Sequence, residues 1–248
     1  MTLAVLDWGI GGAPTYDMIR RSASALDLVY VSDSGFAPYG TVPASLLAER
    51  LRRIAVALVG RGVTHIAVAC NTASVALEVL QNPPCPFFGI IDDGVEIALA
   101  SGAETIAVLG GDGTIRAGVH ERRLRAAGRN VIALPAQALS AHVEAGRLSG
   151  LEVERDVERL LLEAAGADAL LLACTHYPAL LGVFQHFTNC PVLDPSPTFA
   201  RRVLTAYGQT RGRGLHEVFT TGDGDNARAA AKHAFGVNLG PFERLHLG

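Results

Sequence analysis

Two stretches of this 248-residue chain share one pattern, and that pattern decides the fold. The first reads IAVACNTAS at residues 66–74 and the second reads LLLACTHYP at residues 170–178. Each is an apolar run, typical of a strand covered on both faces, that ends in a cysteine and a polar pair. Each continues through a helical segment to Cys-Pro, a further apolar run and an aspartate, at residues 85–92 and 190–194. The repeated order indicates an internal duplication.

Short apolar runs alternate with segments of helical spacing along the rest of the chain. The runs predict strands at residues 3–6, 28–31, 65–69, 87–91, 105–109, 131–134, 169–173 and 192–193. The segments between them predict helices at residues 44–59, 72–80, 115–127, 151–165 and 178–186. This alternation is typical of an α/β fold with mainly parallel sheet. Ligands of such folds bind at the carboxyl ends of the strands.

The duplication predicts two pseudo-symmetric α/β lobes with the active site in the cleft between them. We expect residues 1–95 and 206–248 to form the first lobe and residues 96–205 the second. Each lobe would present one cysteine, Cys70 or Cys174, at a strand end. The two thiols would then face one another across the cleft.

Composition excludes several other classes of protein. A formal net charge of -3 gives no electrostatic reason to expect nucleic acid or an anionic membrane as partner. No apolar run reaches the ~20 residues of a membrane span, and residues 1–7 lack the basic flank of a signal peptide, so a cytoplasmic location is expected. Four cysteines without a C-x-x-C pair predict neither a disulfide framework nor a metal site.

Cys70 and Cys174 have two interpretations. A cysteine that ends an apolar strand is often a small buried hydrophobic residue. Each of these two, however, precedes a polar pair that looks like a helix start, and a helix N-terminus lowers the pKa of a thiol and stabilises its thiolate. Their duplicated positions favour the functional interpretation. Cys85 and Cys190 precede prolines at strand starts, and we interpret both as structural.

The polar residues after the cysteines could bind a carboxylate. Asn71, Thr72 and Thr175 offer side-chain donors next to unpaired backbone N–H groups, although threonine at this place is also an ordinary helix cap. His176 could stabilise a thiolate or shuttle its proton, or simply pack or cap. Asp7 could assist the other cysteine, or cap the helix that follows.

The glycine-rich segment after the first strand resembles a dinucleotide fingerprint only weakly. Gly9, Gly11 and Gly12 are followed by Pro14 where the third glycine would stand, with Asp33 after the next strand. The glycines are better suited to bring backbone amides close to a small carboxylate. The turn PYG at residues 38–40 could lend amides and a hydroxyl to the same site.

Taken together, the motifs resemble the aspartate/glutamate racemase family, in its glutamate racemase branch. The resemblance runs almost end to end, and the two cysteine motifs are its most specific part. The matching segments are DWGIGG (7–12), Asp33 with PYG (38–40), ACNTAS (69–74), GTI (113–115), VEAG (143–146), CTHYP (174–178) and FTTGD (219–223).

The family implies an isomerase that needs no cofactor, has two lobes around its site and is frequently a dimer. By resemblance, Cys70 and Cys174 are its two acid–base groups. The positions assisting them are Asp7, His176 and Glu144. The positions contacting substrate are Pro38, Tyr39, Gly40, Asn71, Thr72, Thr175 and Thr114, with Trp8 beside them. The implied reaction interconverts L- and D-glutamate for peptidoglycan synthesis, and so for cell-wall biogenesis and cell shape.

Two residues depart from the family pattern. Trp8 stands where the family has a serine that contacts substrate, and His120 stands where it often has tyrosine. An indole in the cleft would shrink the pocket, whereas one pointing away would be a packing residue. A racemase or epimerase with another substrate, and a non-catalytic relative that binds a ligand or partner, are therefore alternatives to glutamate racemase.

Racemisation requires a proton to leave one face of an α-carbon and another to arrive at the opposite face. A thiolate and a thiol on opposite sides can do this without a cofactor. The pyridoxal route needs a lysine, and the only lysine, Lys232, lies in a polar segment that reads as a surface helix. A thiol hydrolase built on Cys174 and His176 would leave Cys70 and the duplication unexplained.

Overall fold

The computed structural model describes residues 1–247 as two parallel sheets flanked by helices. The strands are, in chain order, β1 (Thr2–Asp7), β2 (Asp27–Ser32), β3 (Val63–Val68), β4 (Phe87–Gly89), β5 (Thr105–Gly110), β6 (Asn130–Pro135), β7 (Ala169–Ala173), β8 (Val192–Leu193), β9 (His216–Thr220) and β10 (Glu243–Arg244). The predicted α/β class is confirmed.

Helices fill the connections between the strands. They are α1 (Ala13–Ser22), α2 (Ala44–Val59), α3 (Asn71–Ala76), α4 (Ile91–Ala100), α5 (Asp112–Ala117), α6 (Val119–Ala126), α7 (Gln137–Glu144), α8 (Leu151–Glu163), α9 (Leu181–Phe187), α10 (Ser196–Tyr207) and α11 (Gly224–Phe235). Short 3-10 turns at Tyr39–Thr41 and Tyr177–Leu180 complete them. No helix within residues 1–247 is long and apolar enough to cross a membrane.

The two sheets repeat one strand order. The first runs β10-β9-β2-β1-β3-β4 and the second runs β6-β5-β7-β8, with every neighbouring pair parallel. The segment β2-β1-β3-β4 thus corresponds to β6-β5-β7-β8. In each sheet the connections turn in opposite directions from the first strand, which creates a switch point where α/β folds bind ligands. The cysteine-bearing strands β3 and β7 lie at those two points.

Burial of the strands follows their apolar sequence. All five residues of β7 are buried, as are five of the six residues of β1. One apolar cluster includes side chains of both sheets, such as Leu3 of β1 and Leu172 of β7. Because the core extends between the sheets, the loops at their carboxyl edges are brought together.

Some predicted boundaries were wrong for identifiable reasons. The predicted helix 115–127 is two helices, because Gly118 adopts a left-handed φ of 65° between α5 and α6. The predicted helix 72–80 begins at Asn71 and ends at Ala76, and the helix predicted from residue 178 begins as a 3-10 turn. The lobe boundaries predicted near residues 95 and 205 fall inside α4 and α10 and stay a prediction.

Candidate active site

A small pocket lies where the carboxyl edges of the two sheets meet. Its volume is about 40 Å³, which is room for a few water molecules. Of the thirteen predicted site residues, ten line it, and only Asp7, Glu144 and Thr114 stand behind the wall. The lining residues are Trp8, Pro38, Tyr39, Gly40, Cys70, Asn71, Thr72, Gly111, Gln137, Ser140, Ala173, Cys174, Thr175 and His176.

Cys70 forms one face of the pocket as the residue that precedes α3. Burial raises the pKa of its thiol well above the usual 9.0, and the charges of Asp7 and Cys174 raise it further. Hydrogen bonds from the backbone N–H groups of Ala73 and Thr72 act in the opposite direction but are outweighed. The lowered pKa expected from a helix start is therefore wrong for Cys70. Its thiol keeps its proton at neutral pH.

Cys174 forms the other face, and a charge-relay pair stands behind it. Its Sγ lies 3.9 Å from Nδ1 of His176, whose Nε2 is hydrogen-bonded to Glu144. Burial works against a charge on His176, but hydrogen bonds and charges from Cys174 and Glu144 raise the pKa of the imidazole well above 6.5. The raised pKa favours a positive charge on the imidazole, which faces the Cys174 sulfur.

The segment after Cys174 differs from the predicted helix start. A 3-10 turn at Tyr177–Leu180 separates the cysteine from α9. Neither Thr72 nor Thr175 caps a helix, because α3 is preceded by Cys70 and no α-helix begins at Thr175. The side chain of His176, rather than a helix N-terminus, supplies the positive charge beside the Cys174 sulfur.

Asp7 lies fully buried at the end of β1 and joins the two halves of the site. Its Oδ2 accepts the backbone N–H groups of Gly9 and Gly12, at 3.3 and 3.1 Å. Its Oδ1 accepts the hydroxyl of Thr175, at 3.2 Å. Asp7 therefore holds the turn that precedes α1 and places a negative charge near Cys70, whereas α1 has no side-chain cap.

The glycines after Asp7 permit close contact between the halves. A Cβ on Gly9 would lie 2.6 Å from Oε1 of Glu144 and 3.2 Å from Nε2 of His176, and one on Gly11 would collide with Thr175. The carboxylate that the amides of this segment contact is that of Asp7. These positions need glycine because the His176–Glu144 pair and Thr175 pack directly on the backbone.

Trp8 forms part of the pocket wall. Its indole Nε1 donates to the carbonyl of Phe36 at 3.1 Å, and its ring centroid lies 6.2 Å from that of His176. The half-buried side chain also packs against the apolar cluster of the first sheet. The indole therefore borders the cleft and is tied to the loop after β2, which narrows the pocket on the His176 side.

The loop at residues 36–41 is anchored by the buried carboxylate of Asp33. Asp33 accepts hydrogen bonds from Tyr39 at 2.7 Å, Thr221 at 2.7 Å and Arg50 at 2.6 and 2.9 Å. The hydroxyl predicted to serve the site is thus occupied, and Tyr39 offers its ring and backbone to the pocket. Burial and the charge of Asp33 raise the pKa of Tyr39 well above 10.0.

Neutral polar groups cover the remainder of the Cys70 face. Asn71 is only 2 % exposed, and neither Nδ2 nor Oδ1 of its amide has a hydrogen-bond partner within residues 1–247. Thr72 shares a hydrogen bond of 2.9 Å with Thr114 of the other sheet. A buried amide without a partner is costly, so Asn71 is available to a ligand. Thr114 positions Thr72 rather than lining the pocket.

Four lining residues were missed by the sequence interpretation: Gly111, Gln137, Ser140 and Ala173. Nε2 of Gln137 donates to Oγ of Ser140 at 2.9 Å, which orients both side chains. Gln137 follows β6 directly, so the rule that ligands bind at strand ends would have found it. Lys232, by contrast, lies exposed on α11 and is absent from the pocket wall.

Comparisons with known proteins show which family the chain resembles. The sequence model of the Asp/Glu/Hydantoin racemase family matches residues 11–203. Glutamate racemase of Aquifex aeolicus is 33% identical over 246 residues, with 97% of this chain and 96% of the relative covered. The solved glutamate racemase of Aquifex pyrophilus is 30% identical with a TM-score of 0.84, covering 99% of this chain and 98% of that one. That of Thermus thermophilus, in complex with beta-chloro-D-alanine, is 28% identical with a TM-score of 0.85, covering 99% and 97%.

Proposed function

This chain belongs to the Asp/Glu/hydantoin racemase family and is an isomerase, and from that premise we propose that it interconverts L- and D-glutamate by a two-cysteine mechanism. The observation that carries the proposal is that Cys70 and Cys174 line one pocket from duplicated strand ends. The names of its relatives favour glutamate, and the amino-acid analogue bound by the Thermus thermophilus enzyme favours an amino-acid substrate.

The proposed reaction begins with unequal sulfurs. The Cys174 thiolate, beside the His176 imidazolium, removes the α-proton from one face of the substrate. The Cys70 thiol, whose pKa is raised by burial and by the Asp7 charge, delivers a proton to the opposite face. One proton leaves and one arrives, so charge is conserved and the two sulfurs exchange protonation states. The reverse reaction begins from that exchanged state.

Negative charge that builds up during deprotonation requires donors that are already in place. Asn71, Thr72 and Thr175 supply them at the pocket wall, and the unpartnered Asn71 amide gains most from a ligand. None of the lining residues is an arginine or lysine. We infer that neutral donors hold the substrate carboxylates and that His176 is the single cation beside the reacting atoms.

The first test is direct turnover. Purified protein is incubated with L-glutamate, and loss of ellipticity is followed by circular dichroism, with chiral chromatography of the product. L-aspartate and L-alanine are assayed in parallel. The proposal predicts approach to an equal mixture of glutamate enantiomers without any added cofactor. Turnover of aspartate or alanine with no change in glutamate would contradict the proposed substrate while leaving the racemase assignment intact.

A second candidate, another substrate of the same reaction, is favoured by one observation: Trp8 narrows a pocket of about 40 Å³. The Trp8→Ser variant distinguishes the two, because it should gain glutamate turnover only if the indole excludes glutamate from the wild type.

We further propose that the product serves peptidoglycan synthesis in the cytoplasm and that the chain forms a homodimer. Growth of a D-glutamate auxotroph carrying this gene, and the mass of the protein in solution, test these points.

A further inference from the structure

A second and larger cavity adjoins the small pocket that contains Cys70 and Cys174. Its volume is about 370 Å³ and it opens beside exposed Thr41, Pro43 and Arg116. Thr72 lines both cavities, so they are neighbours across that side chain. The full lining consists of Thr41, Val42, Pro43, Ala44, Leu47, Thr72, Val75, Gly113, Arg116 and Ala117. Residues of both sheets' loops contribute, so this cavity lies on the seam between the halves.

Glycine backbone and the hydrogen-bonded side chains of Thr72 and Thr114 form the seam between the two cavities. Gly40 lines the small pocket and Gly113 lines the large one. A Cβ added to Gly113 would lie 3.0 Å from the carbonyl oxygen of Gly40 and 3.1 Å from Cγ2 of Thr72. Gly113 has no left-handed φ, so close approach, and not backbone conformation, is what requires glycine there. A separation of the two backbones that also breaks the Thr72–Thr114 hydrogen bond would join the cavities.

Arg116 gives the large cavity its charge. It is the one charged residue among the lining residues, and within residues 1–247 its guanidinium forms no hydrogen bond or ion pair. The opposite wall is apolar, with Val42, Leu47 and Val75. A cavity of this kind attracts a small anion and offers an amino-acid carbon chain an apolar surface.

We propose that this cavity is the vestibule through which an anionic amino acid reaches the small pocket, with Arg116 as the residue that captures its carboxylate and the Gly40–Gly113 seam as the gate. The inference rests on the proposed function for the charge of the substrate. The small pocket has room for only a few water molecules, so its wall must move to admit a substrate of the size of glutamate. The seam is the part of the pocket wall that borders the large cavity, which Arg116 lines.

A vestibule residue has a distinctive kinetic signature. Arg116 would stabilise the substrate while it passes through the large cavity in either direction. It would not contact substrate that is bound in the small pocket. Loss of its charge should therefore slow association and dissociation by the same factor and leave the dissociation constant unchanged. A residue that contacts bound substrate would instead change the dissociation constant, mainly through faster dissociation.

The single tryptophan makes these rates measurable. Trp8 is the only tryptophan of the chain and lines the pocket, so its fluorescence reports arrival of D-glutamate in a stopped-flow experiment. We expect Arg116→Gln to lower both rate constants about fivefold at low ionic strength, with the difference shrinking at high salt. Arg155→Gln is the matched control, since Arg155 is an exposed arginine on α8 outside both cavities.

The possible results of these experiments distinguish failure of the vestibule from failure of the proposed racemase function. The wild type could racemise glutamate while Arg116→Gln and Arg155→Gln have equal rate constants for binding D-glutamate. That result would overturn the vestibule and leave the proposed function standing. A raised dissociation constant in Arg116→Gln would also overturn the vestibule, by placing Arg116 on the bound substrate. A wild type that neither binds nor racemises D-glutamate would overturn the proposed function, and this route with it.

The gate has its own test. Gly113→Ala adds a methyl group that wedges the seam, so we expect dissociation of D-glutamate to accelerate at least threefold. Gly182→Ala is the matched control, because a Cβ on Gly182 of α9 meets nothing within 4 Å. Dissociation rates that are equal in the two variants would place the gate elsewhere. Urea unfolding of both variants verifies that each is folded.

Discussion

The two halves of this protein present the same atom, a cysteine sulfur, in opposite electrostatic surroundings. Both sulfurs follow the third strand of a 2-1-3-4 sheet order. Cys70 faces the carboxylate of Asp7, which together with burial raises the pKa of its thiol. Cys174 faces the imidazolium of His176, which Glu144 supports. Duplication of the fold thus sets where the sulfurs lie, and unduplicated neighbours set the charge that each sulfur faces.

The halves also differ in how they satisfy buried polar groups. In the first, Asp33 has four hydrogen bonds from three side chains. In the second, His120 is 2 % exposed, and neither ring nitrogen has a partner within residues 1–247. Burial, with a contribution from Arg123, lowers the pKa of His120 to about 4. One half therefore buries a charge that is paired, and the other buries a neutral base that is unpaired.

The largest expected effect comes from replacing the cysteine that each half presents at its strand end. Cys70→Ser and Cys174→Ser should each lower kcat for racemisation at least ~10³-fold, since each deletes one of the two proposed proton-transfer groups. Cys85→Ser and Cys190→Ser, outside the pocket, are matched controls and should retain activity. Chiral chromatography gives the rates. A large loss in only one of Cys70→Ser and Cys174→Ser would break the functional equivalence of the halves.

The next effect concerns stability of the first half. Asp33→Asn leaves the partly buried Arg50 guanidinium without its buried counter-ion, so the free energy of unfolding should fall by about 3 kcal/mol. Urea denaturation measures the change. The exposed pair of Arg159 and Glu163 supplies the control, because Glu163→Gln should cost less than about 1 kcal/mol. Equal losses in the two variants would mean that the Asp33 network does not anchor the loop at residues 36–41.

The corresponding effect in the second half depends on pH. His120 stays neutral in the folded state down to about pH 4, whereas its unfolded counterpart binds a proton below about 6.5. Its contribution to stability is therefore present above pH 6.5 and is lost as the pH falls towards 4. His120→Phe should gain ~2 kcal/mol of unfolding free energy relative to the wild type between pH 7 and pH 5. A stability difference that is the same at both pH values would contradict this environment for His120.

The smallest expected effect sharpens the contrast between the sulfurs. Glu144→Gln removes one of the groups that raise the pKa of His176, so the imidazolium should be lost at lower pH than in the wild type. We expect an alkaline limb of kcat/KM displaced to lower pH and a loss of about tenfold at pH 8. The measurement is a pH profile of both proteins. Coincident alkaline limbs would show that Glu144 does not act through His176.

Much of this arrangement could be predicted from the sequence, because its determinants are local. Continuous apolar runs gave most of the strands, and the rule of strand ends located Cys70, Asn71, Thr72 and Cys174 at one edge. The break at Gly118 was missed because a glycine in a helical pattern is compatible with both a continuous and a divided helix.

The features of the site that could not be predicted from the sequence depend on contacts between residues far apart in the chain. The raised pKa of Cys70 arises from burial and from Asp7, more than sixty residues away in the chain. The indole of Trp8 points as it does because the carbonyl of Phe36 accepts its N–H. The hydroxyl of Tyr39 is occupied by Asp33 rather than free for substrate. Such partners are selected by tertiary packing, and no spacing along the chain encodes them.

The most direct test of two sulfurs on opposite faces of one carbon is isotope transfer in heavy water. The wild type is given L-glutamate in D₂O, and both enantiomers are analysed by mass spectrometry while conversion is still small. Deuterium should appear in the α-position of D-glutamate while the remaining L-glutamate keeps hydrogen. Deuterium appearing equally fast in the recovered L-glutamate would mean that a single base serves both faces, and the account of paired cysteines would be wrong.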